Sequence, residues 1–420
     1  MPFYLGFSQL IDKKHVANRL LALREQIRSK IPSRTIKDTL LLATWNIRDF
    51  DSNKFGHGPR LQESFYYIAE IISSFDIIAL QEVNDDLSAL KIVMNFLGAH
   101  YDYIVTDVTA GRSGNSERMA FVFDSRKVRF QNVAGEIVLP ESEQIQTGET
   151  ELVFKESSEI ELSSDQLFIL PNGDSVILPR GHRITLPAGQ KLVLPPDHKI
   201  TASKQFARTP FLVSFKAGWF QFNLCTVHIY YGEDRGEKYE RRIGEIAGIA
   251  QFLAKRARKK DENYIMLGDF NILTPDDRTM AALKRHHFII PPQLENLPTN
   301  LFGNRHYDQI AFMLRENELQ LGDSPQNAGA FDFYKSVFQG KDFEYYYERA
   351  SYSYREKIWD IESTGRHKGE PRSYQQKFEH YLKVWRTFQM SDHLPMWIEL
   401  KINFSDQFLS KHVNHKHNYT

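Results

Sequence analysis

One cysteine, Cys225, stands among 420 residues. That excludes a disulfide framework and a zinc site built on thiolates. Neither charge is in excess, since lysine plus arginine and aspartate plus glutamate number 53 each. A nucleic-acid partner therefore cannot be argued from net charge and needs a local patch. No apolar run approaches the ~18 residues of a membrane-spanning helix. The opening residues, Met1-Pro2-Phe3-Tyr4-Leu5-Gly6, have neither a basic start nor a long apolar stretch. A secretion signal is not expected, and the expected location is the cytoplasm. What is present is 41% hydrophobic and 25% charged residues, enough for a large buried core.

The core reads as alternating strands and helices. Residues 1–37 form an N-terminal helical extension, because Val16, Leu20, Leu23, Ile27 and Ile31 recur at helical spacing over about 12–30. Leu40–Trp45 is a buried strand ending in Asn46-Ile47-Arg48. A helix over about 60–74 leads to a second buried strand, Asp76–Glu82. After a helix over about 86–97 and the run Tyr101–Val105 comes a strand headed by Glu117. Phe220–His228 ends in a histidine, and a helix over about 238–258 follows. Tyr264–Leu267 runs into Gly268-Asp269-Phe270-Asn271, Asp308 opens another strand, and Trp397–Ile402 closes the set. Each polar residue taken singly reads equally well as an ordinary residue at a strand end.

Two segments interrupt this order. Residues 131–206 hold a β repeat, with Ile160, Phe168, Val176, Ile184, Leu192 and Ile200 spaced by eight. Leu-Pro-x-Gly turns between them predict a small β-solenoid or a tight meander. Its functional reading is a surface for a protein partner or self-association. Residues 320–388 are aromatic and basic, and predict a largely helical insertion with its own core. Tyr374, Phe378, Tyr381 and Trp385 alternate there with Lys377, Lys383 and Arg386, which also suits phosphate contact and base stacking. The tail, 405–420, is expected to be disordered.

In chain order the polar clusters are Trp45-Asn46, Gln81-Glu82, Glu117, His228, Gly268-Asp269-Phe270-Asn271, Asp308 and Ser391-Asp392-His393. This series resembles the endonuclease/exonuclease/phosphatase superfamily in its deoxyribonuclease I-like branch. The likeness covers about 40–130, 208–315 and 390–402, within a catalytic domain of 38–130 and 207–404. It implies an α/β fold: a four-layer sandwich of two mixed β-sheets packed face to face and flanked by helices.

The resemblance also implies the chemistry. Glu82, Asp392 and Asp269 would hold a hard cation, Mg²⁺, with Mn²⁺ or Ca²⁺ as substitutes. Asn46 and Asn271 would bind phosphate or orient the water. His393, held by Asp308, would take the water's proton, and His228, oriented by Glu117, would serve the leaving oxygen. Arg48 and Arg208 would contact phosphates. The positions where deoxyribonuclease I meets the DNA groove are altered here, to Asn84 and Asn115. The expected function is Mg²⁺-dependent phosphodiester hydrolysis with DNA as partner, without a membrane. Two alternatives stand beside it. One is a phosphatase or phospholipid phosphodiesterase of the same superfamily, the other a non-catalytic partner-binding protein on the same fold.

Overall fold

The apolar runs become the strands of two sheets. The structure, a computed structural model, describes residues 2–51, 56, 59–107, 117–139, 145–149, 151–153, 158–161, 165–169, 175–186, 191–193, 200–315, 318–353, 360–361 and 368–414. Two compact units emerge, one of Met1–Ile137, Ala207–Tyr230 and Ile249–Thr420, the other of Val138–Phe206 and Tyr231–Gly248.

The first strands are β1 (Thr39–Phe50), β2 (Ile77–Asn84), β3 (Tyr101–Val105), β4 (Glu117–Asp124) and β5 (Val128–Glu136). The repeat supplies β6 (Ile145–Glu149), β7 (Glu151–Val153), β8 (Ser158–Glu161), β9 (Gln166–Ile169), β10 (Ser175–Leu178), β11 (Arg183–Leu186), β12 (Lys191–Val193) and β13 (Ile200–Lys204). Then come β14 (Phe211–Ala217), β15 (Phe220–His228), β16 (Tyr264–Asp269), β17 (Asp308–Met313), β18 (Ala328–Ala330) and β19 (Met396–Lys401).

In the first unit the six-stranded sheet runs β18-β19-β1-β2-β4-β3 and the five-stranded sheet β17-β16-β15-β14-β5. Both are mixed: β1 with β2 and β15 with β16 are parallel, and the remaining neighbours are antiparallel. The central strands of one sheet face those of the other. Alternation divides β1 between the layers. Leu41, Ala43, Trp45 and Ile47 join the helix-side core, which leaves Leu40, Leu42, Thr44 and Asn46 facing the second sheet. Between the sheets Phe121 stacks on Phe211 at 5.7 Å and Phe123 meets Phe215 edge-on at 5.3 Å.

Helices α1 (Lys13–Lys30), α2 (Gln62–Ser73) and α3 (Ser88–Leu97) cover the outer face of the six-stranded sheet. α1 buries Val16, Leu20 and Leu23, and Arg24 reaches Glu70 on α2 at 2.9 Å. A fourth helix, α4 (Gly236–Lys260), buries Ile249, Ala250, Leu253 and Ala254. The result is a four-layer α/β sandwich with helices outside. Among the described residues no helix is long and apolar enough to cross a membrane.

In the second unit the repeat pairs neither as a solenoid nor as a meander. β9 pairs with β10, β8 with β11, β7 with β12 and β6 with β13, all antiparallel. The first half of the repeat folds back on the second. The spacing of eight survives in register, with Phe168 opposite Val176, Ile160 opposite Ile184 and Leu152 opposite Leu192.

The aromatic insertion departs from the stacking-wall reading. Phe331, Phe333, Tyr334, Phe338, Phe343, Tyr346, Tyr381 and Trp385 are buried in the same cluster as Trp45, Tyr67 and α1. Two of its cations are engaged as well. Arg386 lies 4.1 Å from the Tyr334 ring and donates to the Leu382 carbonyl, while Lys383 pairs with Glu379 at 2.9 Å. Of the four interleaved rings Tyr381 and Trp385 are core, Phe378 is partly buried against it and Tyr374 is exposed, so apolar burial takes half of the expected stacking face. β18 adds an edge strand to the six-stranded sheet. In the tail Ser405–Asn414 is helical, and Phe408 meets Trp219 at 5.5 Å. Asn115 and the tail's His415 and His417 lie outside the described residues.

Candidate active site

Strand direction decides where the polar residues fall. β1 and β2 end at the same edge of their sheet, as do β15 and β16, and the antiparallel β4 and β17 begin there. Asn46, Glu82, His228 and Asp269 therefore stand at strand ends, and Glu117 and Asp308 at strand starts. The period of two aims Thr226 and His228 the same way. Thr226 Oγ1 accepts from Gln81 Nε2 of the facing sheet at 2.9 Å, and that amide also donates to Thr44 Oγ1 at 3.1 Å. This link fixes the spacing of the sheets directly beneath the site.

Alternation would send Glu82 to the helix side with Ile78 and Leu80. Instead Glu82 has φ of 60°, and the registers of β2 with both neighbours slip around it. A β-bulge of this kind redirects a side chain. Glu82 Oε1 accepts from Asn46 Nδ2 at 3.0 Å and Oε2 from the Asp49 backbone N–H at 2.9 Å. Burial, with the charge of Glu117 behind it, holds the Glu82 carboxyl above its ordinary pKa.

Asp269 Oδ2 is the convergence point. It accepts from Asn46 Nδ2 at 3.0 Å and lies 3.7 Å from His228 Nε2 and 3.8 Å from His393 Nε2. Its Oδ1 accepts the Asn271 backbone N–H at 2.9 Å. Burial raises this carboxyl to about 7; His393 opposes that shift and Asp308 adds to it. Gly268 is required at the approach. Its φ is 130°, and a Cβ there would sit 2.1 Å from the Val227 carbonyl oxygen. Asn271 has left the strand with φ of 53°, and its Nδ2 donates to the Ile229 carbonyl at 2.7 Å.

Each histidine has a carboxylate behind it. His393 Nδ1 is 2.8 Å from Asp308 Oδ2, and Asp308 is fully buried. Burial disfavours the imidazolium, but Asp308 and Asp269 outweigh it and hold His393 well above its ordinary pKa. His228 Nδ1 is 3.5 Å from Glu117 Oε2, and its Nε2 is 3.8 Å from Glu82 Oε1. Asp392 is the least buried acid, with Arg48 Nη1 3.7 Å away. Arg48 also donates to Thr387 Oγ1 at 2.5 Å and lies 3.9 Å from the Phe388 ring centre. Arg208 Nη2 is 4.0 Å from Glu117 Oε2.

The residues expected to catalyse, to bind phosphate or to hold a metal thus reach one edge. The donor set suits a hard cation. Glu82, Asp269 and Asp392 offer carboxylate oxygens at this edge, and Asn46 Oδ1 is buried without a hydrogen-bond partner. The raised carboxyls of Glu82 and Asp269 mark negative charge that a divalent ion would offset. Ligand atoms of Glu82, Glu117 and His228 also lie within 4.8 Å of one another, a grouping the motifs did not single out.

Several supporting residues were given no role from the sequence. Ser391 Oγ donates to the Asn46 carbonyl at 2.6 Å and accepts the His393 backbone N–H at 3.0 Å. Trp45 Nε1 donates to the His393 carbonyl at 3.0 Å. Thr387 and Phe388 belong to the insertion, so their role at Arg48 depends on tertiary packing. Ser391 and Trp45 stand inside the Ser391-Asp392-His393 and Trp45-Asn46 clusters, which is the signal that could have pointed to them. Asn84 closes β2, and its Oδ1 accepts the Asp85 backbone N–H at 2.9 Å.

A search of curated proteins finds no match. Among solved structures, a mannosyl-6-phosphatase of Bacteroides thetaiotaomicron aligns with a TM-score of 0.46 and 16% identity over 86% of this chain and 99% of that one. The human Nocturnin catalytic domain with bound sulfate aligns with a TM-score of 0.41 and 11% identity, over 86% and 93%. The D. rerio TDP2 complex with single-strand DNA product gives 0.42 and 10%, over 86% and 98%. The model of the Endonuclease/Exonuclease/phosphatase family matches residues 43–308, more than half of the chain. The chain therefore belongs to the endonuclease/exonuclease/phosphatase family of phosphoester hydrolases.

Proposed function

We propose that the protein is a Mg²⁺-dependent phosphodiesterase whose substrate is DNA, cleaved internally by attack of water. The observation that carries this reading is the pair of imidazoles, His393 backed by Asp308 and His228 backed by Glu117. Their Nε2 atoms approach the same Asp269 oxygen from 3.8 and 3.7 Å. Two such pairs about one phosphate supply a base and an acid.

Asp308 keeps the Nδ1 proton of His393 in place, so its Nε2 lone pair faces the attacking water and takes its proton. The water oxygen bonds to phosphorus as the bond to the leaving oxygen breaks. His228, held by Glu117, gives its Nε2 proton to that oxygen. Asn46 and Asn271 orient phosphate and water. Arg48 and Arg208 flank the site as phosphate contacts, which suits a polynucleotide. Glu82, Asp392 and Asp269 would hold the cation, whose contribution is charge neutralisation at the phosphoryl oxygens; Mn²⁺ or Ca²⁺ would substitute.

The test incubates supercoiled plasmid, linear DNA, RNA, a phosphomonoester and a phospholipid with the protein, with Mg²⁺ and with chelator. Plasmid nicking that stops with chelator and in His393→Ala is the expected result. Phosphate release from the monoester or the lipid alone would replace this reading with a phosphatase or phospholipid phosphodiesterase.

A further inference from the structure

Arg60 stands just before α2, outside every motif, and its side chain is only 1% exposed. Such a cation is costly to bury unless its donors are used. Its guanidinium donates to three backbone carbonyls: Asp49 at 2.8 Å, Met390 at 3.3 Å and Arg48. These carbonyls belong to two segments far apart in sequence. Arg48 and Asp49 follow Asn46, and Met390 precedes Ser391-Asp392-His393.

The contacts matter because of what the segments hold. Asp49 has a left-handed φ of 46°, and its N–H is the donor that fixes Glu82 Oε2. Asp392 lies two residues beyond Met390. One planar, forked group thus ties the turn that orients Glu82 to the loop that presents Asp392. Asp51 Oδ1 lies 3.6 Å from Nη1 and the Phe50 ring centre 5.2 Å from the guanidinium carbon, while Nε is buried without a hydrogen-bond partner.

We propose that Arg60 is a positioning residue that couples the Glu82 and Asp392 segments and so sets the protein's affinity for a divalent cation. This rests on the reading that Glu82 and Asp392 bind a cation, but not on the identity of the substrate. A simple electrostatic role predicts the opposite effect. A buried positive charge beside Glu82 repels a divalent ion, so its removal would tighten binding by Coulomb's law alone. Coupling predicts that removal weakens it.

The test measures Mn²⁺ binding directly, by electron paramagnetic resonance, to wild type, Arg60→Lys and Arg60→Met, each checked for native near-ultraviolet circular dichroism. Lysine keeps the charge but cannot span three carbonyls with a planar fork. Loss of a residue that orients metal ligands typically costs 10–100-fold in affinity, so both variants are expected to bind Mn²⁺ about 10-fold or more weakly. Binding within about twofold of wild type, or tighter, overturns the proposal. Should neither variant fold, hydrogen exchange on the wild type decides. Mn²⁺ is then expected to slow the amides of Asp49 and His393 together, and protection of one without the other overturns the coupling. Normal Mn²⁺ weakening in a protein that cleaves no DNA would instead refute the nuclease reading and leave this one standing.

Discussion

Replacing Asp308 by asparagine tests the base most sharply. The side chain is fully buried, and its Oδ2 lies 2.8 Å from His393 Nδ1. Asparagine keeps the volume, so the change removes charge without opening a cavity. If the amide oxygen faces Nδ1, the geometry survives but the imidazolium loses its nearest counter-charge. If the amide nitrogen faces Nδ1, the ring takes the other tautomer and Nε2 carries a proton it cannot accept again. A positioned general base contributes ~10²–10⁴ in rate. The loss in kcat/KM should fall in that range, about 2.7–5.4 kcal/mol at ~1.36 kcal/mol per decade. The pH dependence has a definite sign. After the opposing effect of burial, Asp308 is the largest influence on His393 and raises its pKa. His393 must be neutral to act, so removing the carboxylate extends the neutral form to lower pH. The acid limb of the pH–rate profile should move to lower pH while the plateau drops. Plasmid nicking or bis(4-nitrophenyl) phosphate hydrolysis at saturating Mg²⁺ would show it. A variant within about threefold of wild type at every pH, or a limb displaced to higher pH, would refute the assignment.

Further expectations concern other parts of the site. Gly268→Ala places a Cβ 2.1 Å from the Val227 carbonyl oxygen at φ of 130°, where neither strand can shift. It should lose at least ~3 kcal/mol in urea unfolding, and an unchanged midpoint would contradict the geometry. Arg208→Ala removes a guanidinium beside Glu117. If it binds phosphate, kcat/KM for DNA should fall about 10- to 100-fold, from ~1.5–3 kcal/mol for a charged hydrogen bond, mostly through KM. A fall confined to kcat would place Arg208 in the chemistry instead. Cys225 is buried, and burial pushes its thiol well above the ordinary range. Native protein should not react with a disulfide reagent at pH 8, and labelling should need denaturant.

Much of this was legible in the sequence because period and order survive folding. The helix predicted over about 12–30 is Lys13–Lys30, and that over about 60–74 is Gln62–Ser73. Strand ends carry Asn46, Glu82, His228 and Asp269 because parallel neighbours finish on the same edge. What escaped was set by contacts distant in sequence. The bulge that turns Glu82 inward leaves no mark in Ala79-Leu80-Gln81-Glu82-Val83. The octads disclosed their strands but not their pairing, since every unit offers the same faces. Interleaved aromatic and basic residues looked like a binding wall. Nothing local said that Tyr381 and Trp385 would be buried or that Arg386 would bond the Leu382 and Phe338 carbonyls.

One divalent cation is expected among the carboxylates at this edge. Crystals soaked in Mn²⁺ and measured at its absorption edge test it most directly. A single strong anomalous peak bonded to Glu82 and Asp392, with Asp269 beside it, is the expected result. A peak elsewhere, or none at an occupancy that saturates activity, would contradict it.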